Sequence, residues 1–392
     1  MRIVLTGGGT GGHLVPFEPI IEGLRTLYAE QKQTLPKRLE PEQLTIIFMG
    51  VADTKTTEFF AHFDVRTIPI PSGKIRRYAS ALTIIDLCFR LPLGILLALW
   101  YGWRIMPDVI ISKGGFGSIP MLLAAIVYRI PTLVHESDAV PGTATRFSAR
   151  FATALAAGFT TTFTSYPKYH YKTFVTGTPV RERLSHIDTR EAKRVFNFPP
   201  DELVLLIMGG SQGALAINEA VLQVLPELIL DASIIHLTGE SHFNIINTVA
   251  QELLASSSRA SAYRVYPYLA DTMIDALAAA DVVVSRAGAT TLAELTRLRK
   301  PALLIPLPGA ANDHQRRNAQ VYEQHGAARV LDPSNLGKNL FLRSLQELLT
   351  NQNIRQELAK NMATLDYPAA ARDIAALAYR LASGFAPARP SN

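Results

Sequence analysis

The sequence contains a single cysteine, Cys88, in 392 residues. This excludes an intrachain disulfide and any zinc site built from several thiolates, and one unpaired thiol fits a reducing cytoplasm. The chain opens MRIVLTGG, with no charged n-region, apolar h-region or small-residue cleavage site, so no secretory signal is expected. There is no zinc-finger spacing, RNA-binding aromatic motif or long Lys/Arg block, which argues against nucleic acid as a partner. Charge is sparse, at 18% of residues, while 48% are hydrophobic. Such a composition fills a large core and excludes global disorder. The length suits two domains of ordinary size. The net charge of +6 leaves open a merely basic surface, an anionic membrane or a phosphate-bearing substrate.

Short apolar runs alternate with helix-length segments. Strands are expected at 2–6, 44–49, 109–112 and 132–134, with a helix starting near Pro16. The pattern restarts at 203–208 and continues with strands at 233–237, 281–285 and 302–305. Strands spaced in this way and closed by glycine turns indicate parallel βαβ units. Two consecutive α/β halves result, with a boundary near Gly177-Thr178-Pro179. Ligands of such folds bind at the carboxyl ends of the strands, and a cleft between two such domains is a natural site.

Residues 81–106 are unusually apolar. The uninterrupted stretch 91–103 is 13 residues long and is bounded or preceded by Asp86, Arg90 and Arg104. A spanning helix needs roughly 20 apolar residues, so no transmembrane span is expected. Two readings stay open. The segment is a buried helix of the first domain, or it is a monotopic patch that dips into a bilayer, with Lys74, Arg76, Arg77, Arg90 and Arg104 facing lipid phosphates. Trp100, Tyr101 and Trp103 suit a membrane interface.

Three glycine loops follow strands: 7–13 (GGGTGGH), 114–120 (GGFGSIP) and 209–214 (GGSQGA). Glycines let the backbone turn tightly and approach a ligand, and the next helix presents N–H groups to anionic or polar groups. A dinucleotide enzyme is the obvious rival. Against it, His13 stands where a small residue is needed, and Phe48-Met49-Gly50-Val51 provides no acidic residue at the end of the second strand.

These loops, together with His135-Glu136, Gly177-Thr178-Pro179-Val180-Arg181, the run RAGATTLAE at 286–294 and DHQRRNA at 313–319, occur in the order found in the MurG family, which the chain resembles over nearly its whole length. The resemblance implies an α/β GT-B fold, two Rossmann-like domains with parallel sheets facing across a cleft. Its parts would be an acceptor and membrane-side domain at 1–178, a UDP-sugar domain at 179–364, and a C-terminal helix with tail at 365–392 that returns to the first domain. It implies transfer of N-acetylglucosamine, with inversion, from UDP-N-acetylglucosamine to the 4-hydroxyl of undecaprenyl-pyrophosphoryl-muramyl-pentapeptide, on the cytoplasmic face of an anionic inner membrane. No cofactor and no metal are implied, and no Asp-x-Asp metal motif is present.

The resemblance also distributes roles. Ser211, with Arg181 nearby, would hold the diphosphate, and Glu294 would take the ribose hydroxyls. Backbone at Leu269 and Ala270 would read the uracil. Ala289, Thr290, Thr291, Leu292 and Ala293 would open a helix that stabilises departing UDP. Gln315, with His314 and Asn318, would grip sugar hydroxyls, and Thr10, Gly11 and Gly12 would reach the donor from the first domain. His13 is the first candidate for general base and Glu136 the second; the alternatives are an acceptor-diphosphate ligand for His13 and a loop-bracing carboxylate for Glu136. The family's usual His-Glu-Gln-Asn reads His135-Glu136-Ser137-Asp138 here, so Asp138 can accept but not donate when ionised. Residues 31–43 look like an exposed insertion. Other readings are a related lipid glycosyltransferase with a different acceptor, a UDP-sugar 2-epimerase and a non-catalytic sugar- or lipid-binding protein.

Overall fold

The structure, a computed structural model, describes residues 1–8, 11–31, 44–73, 81–164, 167–210, 213–270 and 272–387. Thr10, Lys74, Arg76, Arg77, Ser211 and residues 32–43 of the expected insertion lie outside the described residues. The chain divides into two units, Met1–Val180 with Tyr367–Asn392, and Arg181–Asp366.

In the first unit, the described strands are β1 (Arg2–Thr6), β2 (Thr45–Gly50), β3 (Arg66–Pro69), β4 (Val109–Ser112), β5 (Thr132–Glu136), β6 (Ala154–Ala157) and β7 (Thr173–Val175). They form one parallel sheet in the order β3-β2-β1-β4-β5-β6-β7. Side chains alternate across a strand, so Ile3 and Leu5 of β1 enter one core with Phe17, Ile20 and Leu24, while Val4 enters another with Ile47, Met49 and Ile110. Helix Ala370–Ala382 completes the first core by packing on helix Phe17–Gln31, where Tyr379 donates its hydroxyl to the Leu24 carbonyl at 3.0 Å.

The second unit repeats the plan with β8 (Val204–Met208), β9 (Ser233–Leu237), β10 (Tyr263–Tyr266), β11 (Val282–Ser285), β12 (Ala302–Leu304) and β13 (Arg329–Val330), in the parallel order β10-β9-β8-β11-β12-β13. In both sheets the strand order reverses beside the first strand, at β1/β4 and at β8/β11. That is the switch point where open α/β sheets bind ligands.

Sequence and structure differ in three places. β3, β6, β7, β10 and β13 were not read from the sequence. They are short, and the Ala-Leu-Ala-Ala of β6 has little intrinsic strand preference. β5 runs two residues past Val134, so His135 and Glu136 stand on the strand itself. The first helix is broken at Val15-Pro16 into Gly11–Leu14 and Phe17–Gln31.

The apolar segment corrects the buried-helix reading. Helix Ala81–Ile85 continues through a π-helical turn, Asp86–Arg90, into helix Leu91–Ile105. Arg90 bonds the buried Asp86 carboxylate at 3.0 Å, so this acidic residue is neutralised rather than a break. Thr83–Ile105 therefore spans 23 residues and contains an 18-residue window of mean hydropathy 1.8, long and apolar enough by length and composition to cross a membrane. Counting only the uninterrupted apolar residues understated it. Within Leu91–Ile105 the buried residues are the stripe Gly94, Ala98 and Gly102, with Ala98 in the second core beside Met121 and Ala124 of helix Ile119–Tyr128. Phe89, Leu93, Leu96, Trp100 and Trp103 share an exposed face, from 52% to 70% accessible. The small-residue stripe seats the helix on helix Ile119–Tyr128 and the Pro71 backbone.

Candidate active site

The carboxyl edge of the first sheet is built by loops packed onto one another. A Cβ on Gly117 would lie 2.4 Å from the Gly7 carbonyl oxygen. Only glycine permits that approach, so Gly117 serves the junction of two loops rather than a ligand. Gly12 faces open space and is exposed. Gly11 and His13 lie in the short helix Gly11–Leu14, the first helix after β1.

At the end of β5, His135 is fully buried between two partners. The Lys113 ammonium lies 2.5 Å from Nδ1, and the Gly177 carbonyl lies 3.0 Å from Nε2. An ammonium can only donate and a carbonyl can only accept. Nδ1 is therefore the acceptor and Nε2–H the donor, which fixes one neutral tautomer. Burial first, and then the Lys113 charge, push its pKa well below the ordinary value.

The Glu136 carboxylate accepts from the backbone N–H of Asp138 at 3.2 Å and of Gly142 at 3.1 Å. Burial, and next the Asp138 charge, raise its pKa. Both oxygens thus brace the following loop. Asp138 is half-buried, and its carbonyl accepts from Thr162 at 3.0 Å.

The second sheet's edge carries a different chemistry. Helix Ala289–Arg297 starts at Gly288 in extended conformation, and the Leu292 N–H closes its first turn on the Gly288 carbonyl at 2.9 Å. The N–H groups before it project from the helix end, where an anion is favoured. Added side chains at Gly210 and Gly288 would meet nothing within 4 Å, so these two positions face open space. Gly210 has φ +89, a left-handed conformation suited to glycine. Ala289 and Leu292 point into the core, which leaves only the Ala289 backbone for any ligand, whereas Thr290, Thr291 and Ala293 are half-buried.

Glu294 is 5% exposed, and Arg181 donates to its Oε1 at 2.7 Å. Burial raises the carboxyl pKa, and the Arg181 guanidinium opposes the rise. The sequence separates these two residues by role; the structure joins them as a buried ion pair. Arg286 ties the neighbouring loop by donating to the carbonyls of Ile305 and Pro306 at 3.1 and 3.0 Å.

The remaining positions separate by exposure. Gln315 accepts from the Leu307 N–H through Oε1 at 2.9 Å, which directs its amide nitrogen elsewhere. His314 lies 2.7 Å from the Ala311 carbonyl through Nδ1. Asn318 is fully buried and donates to the Ala287 carbonyl at 3.0 Å, which ties its helix to the loop after β11. Ala270 is exposed just beyond the buried Leu269, in the turn after β10. A cavity of about 250 Å³ lined by Leu122, Ile126, Arg129, Phe147 and Phe151 also includes Thr132 and Thr153, at the opposite, amino ends of β5 and β6. Lys113 escaped the sequence reading, although a lysine directly after the four fully buried residues of β4 is itself a signal of a charge held at a site.

Residues 33–157 match the glycosyltransferase family 28 N-terminal domain, and residues 204–375 match the glycosyltransferase family 28 C-terminal domain. A protein of Natranaerobius thermophilus named UDP-N-acetylglucosamine--N-acetylmuramyl-(pentapeptide) pyrophosphoryl-undecaprenol N-acetylglucosamine transferase is 31% identical over 95% of this chain and 98% of its own. The crystal structure of Acinetobacter baumannii MurG has a TM-score of 0.70 at 23% identity, covering 96% of this chain and 98% of that one. The UDP-GlcNAc 2-epimerase of Neisseria meningitidis, bound to UDP-GlcNAc, has a TM-score of 0.65 at 17% identity, covering 95% and 98%. At these identities the two structures speak for the fold alone, which is GT-B.

Proposed function

The chain belongs to glycosyltransferase family 28 and, within it, to the MurG family, and on that premise we propose that it transfers N-acetylglucosamine from UDP-N-acetylglucosamine to the 4-hydroxyl of lipid-linked N-acetylmuramyl-pentapeptide in peptidoglycan synthesis. The hydroxyl oxygen attacks the anomeric carbon in line, the bond to the diphosphate breaks, and the configuration inverts. A base removes the hydroxyl proton while UDP departs with its electron pair.

The second unit is the UDP-sugar domain. Glu294 takes the ribose hydroxyls through the oxygen that Arg181 leaves, and the Arg181 guanidinium favours the charged carboxylate against the upward push of burial. The N-terminus of helix Ala289–Arg297, with Ser211, stabilises the diphosphate as charge grows on it. Gln315 holds a sugar hydroxyl, and Ala270 lies at the uracil. The first unit is the acceptor domain, to which Thr10, Gly11 and Gly12 belong. His13 is the base, because the Glu136 carboxylate already braces its own loop. The structural observation that most supports the reading is the buried pair of Arg181 with Glu294, the latter on the helix that follows β11 at the β8/β11 switch point.

The acceptor's lipid accounts for the exposed face of Phe89, Leu93, Leu96, Trp100 and Trp103. Those side chains enter the outer part of a bilayer, with Arg90 and Arg104 at lipid phosphates, so the protein sits peripherally on the cytoplasmic face of an anionic membrane. Nucleic acid has no part in this reading.

The test is transfer of radiolabelled N-acetylglucosamine from UDP-N-acetylglucosamine to a short-chain lipid-linked muramyl-pentapeptide, with His13→Ala alongside. Wild-type transfer is expected, and the variant should lose about 10²–10⁴-fold in turnover with donor binding retained. No transfer by the wild type, while UDP still binds, would redirect the assignment to another acceptor.

A further inference from the structure

We propose that Lys113 is a positioning residue of this transferase, an internal countercharge to Glu136 and Asp138 that anchors the 137–142 loop. The inference rests on the function proposed above for the acceptor side.

Lys113 follows β4 directly, and its N–H continues the ladder to the Thr6 carbonyl at 2.9 Å. The side chain is 4% exposed. Its ammonium reaches the next strand, 2.5 Å from His135 Nδ1 and 2.5 Å from Ser137 Oγ. The charged groups facing it are the carboxylates of Glu136 and Asp138; the His135 ring is neutral, as its two partners require. Burial lowers the Lys113 pKa to about 8, and the two carboxylates hold it from falling further.

The anchoring follows from the bonds. Ser137 is tied to Lys113, the N–H groups of Asp138 and Gly142 to Glu136, and the Asp138 carbonyl to Thr162. The charge argument is independent of these contacts. Two carboxylates close together in a poorly solvated site repel each other, and a cation facing them relieves the repulsion. Without Lys113, the negative charge of Glu136 and Asp138 is left uncompensated in a poorly solvated site. An acidic residue at position 138 therefore depends on the lysine.

A pH signature follows. As the pH rises through about 8 the ammonium is lost, and uncompensated negative charge remains where an acceptor bearing a diphosphate is to bind. The acceptor KM should then rise up to about tenfold per pH unit, the limit for one proton, while the donor KM is unaffected.

The experiment compares wild type, Lys113→Met, Asp138→Asn and the double variant, reading acceptor KM, donor KM and kcat between about pH 6.5 and 9.5. Lys113→Met should raise the acceptor KM at neutral pH and abolish the alkaline limb. Adding Asp138→Asn should recover much of that loss, because a neutral amide needs no countercharge. Asp138→Asn alone should move the limb to lower pH, since one carboxylate supporting the ammonium is gone. This last variant keeps the test open should Lys113→Met fail to fold. An alkaline limb that persists in Lys113→Met, an unmoved limb in Asp138→Asn, or independent effects in the double variant would overturn the proposal. Thermal melts of the four proteins without substrate give a second readout. Coupling between positions 113 and 138 in the absence of any wild-type transfer would uphold the countercharge and retire the transferase function; additive melts would retire the countercharge alone.

Discussion

Glu294 is a carboxylate that a protein interior tolerates only in company. Its partner Arg181 is itself 15% exposed, so each side chain is the other's main compensation. Removing one member of such a pair leaves the other buried and unpaired, at a cost of about 3–5 kcal/mol. Glu294→Ala should therefore do two things. It should lower stability by about 3 kcal/mol in urea melts. It should also weaken UDP binding about 10–100-fold by calorimetry, the range for hydrogen bonds to a charged group. Unchanged UDP affinity in a folded variant would remove Glu294 from the ribose site. The sequence identified Glu294 as a ribose ligand and Arg181 as a cation near the diphosphate. It gave no sign of their ion pair, because the two are 113 positions apart and meet only through the folding of the second unit. Asn318 shows the converse: adjacent to polar residues in DHQRRNA, it turns out to face inward, since helical periodicity carries it to the buried side.

Among the elements, the helix over Thr83–Ile105 has the least ordinary surface. An apolar face with two tryptophans is exposed along most of its length, while Gly94, Ala98 and Gly102 press on the unit beneath. A Cβ at Gly94 would stand 1.9 Å from the Pro71 carbonyl oxygen, so close seating depends on that glycine. Replacing Leu96, Trp100 and Trp103 with serine leaves the seated stripe intact. Each large apolar side chain is worth about 1.5–3 kcal/mol when it leaves water. The triple variant should thus partition to anionic liposomes at least about tenfold less, with its melting curve preserved. Equal co-sedimentation would mean that this face does not meet lipid. Hydropathy along the sequence showed that the segment is apolar but not which residues are covered. Coverage is decided by what packs on the helix, here Met121 and Ala124. The short strands escaped for a related reason. β6 and β13 are held by neighbours on a sheet already formed, not by strand preference of their own.

Over the whole molecule, the first unit is closed by residues from the far end of the chain. Ile374, Leu377 and Leu381 of helix Ala370–Ala382 are buried beside Ile20 and Leu24. At about 1.5–3 kcal/mol for each large side chain, these contacts are comparable with the roughly 5–15 kcal/mol net stability of a domain. Deleting residues 367–392 should abolish cooperative unfolding of the first unit, followed by proteolysis of its fragments, while the second unit still binds UDP. A full two-transition melt of the truncated chain would show that the returning helix is dispensable. By itself, the sequence determined the parallel α/β class, the duplication of a strand and glycine loop, and the carboxyl-edge placement of its motifs. Those are local properties, written in apolar runs, glycine turns and spacing. Only the tertiary structure decided which glycines pack on backbone and which face open space, that Glu136 braces a loop, that Glu294 holds Arg181, and that a lysine and two carboxylates share one buried site. Those outcomes depend on distances between residues remote in the chain, and burial then sets the cost of every charge that folding has brought together.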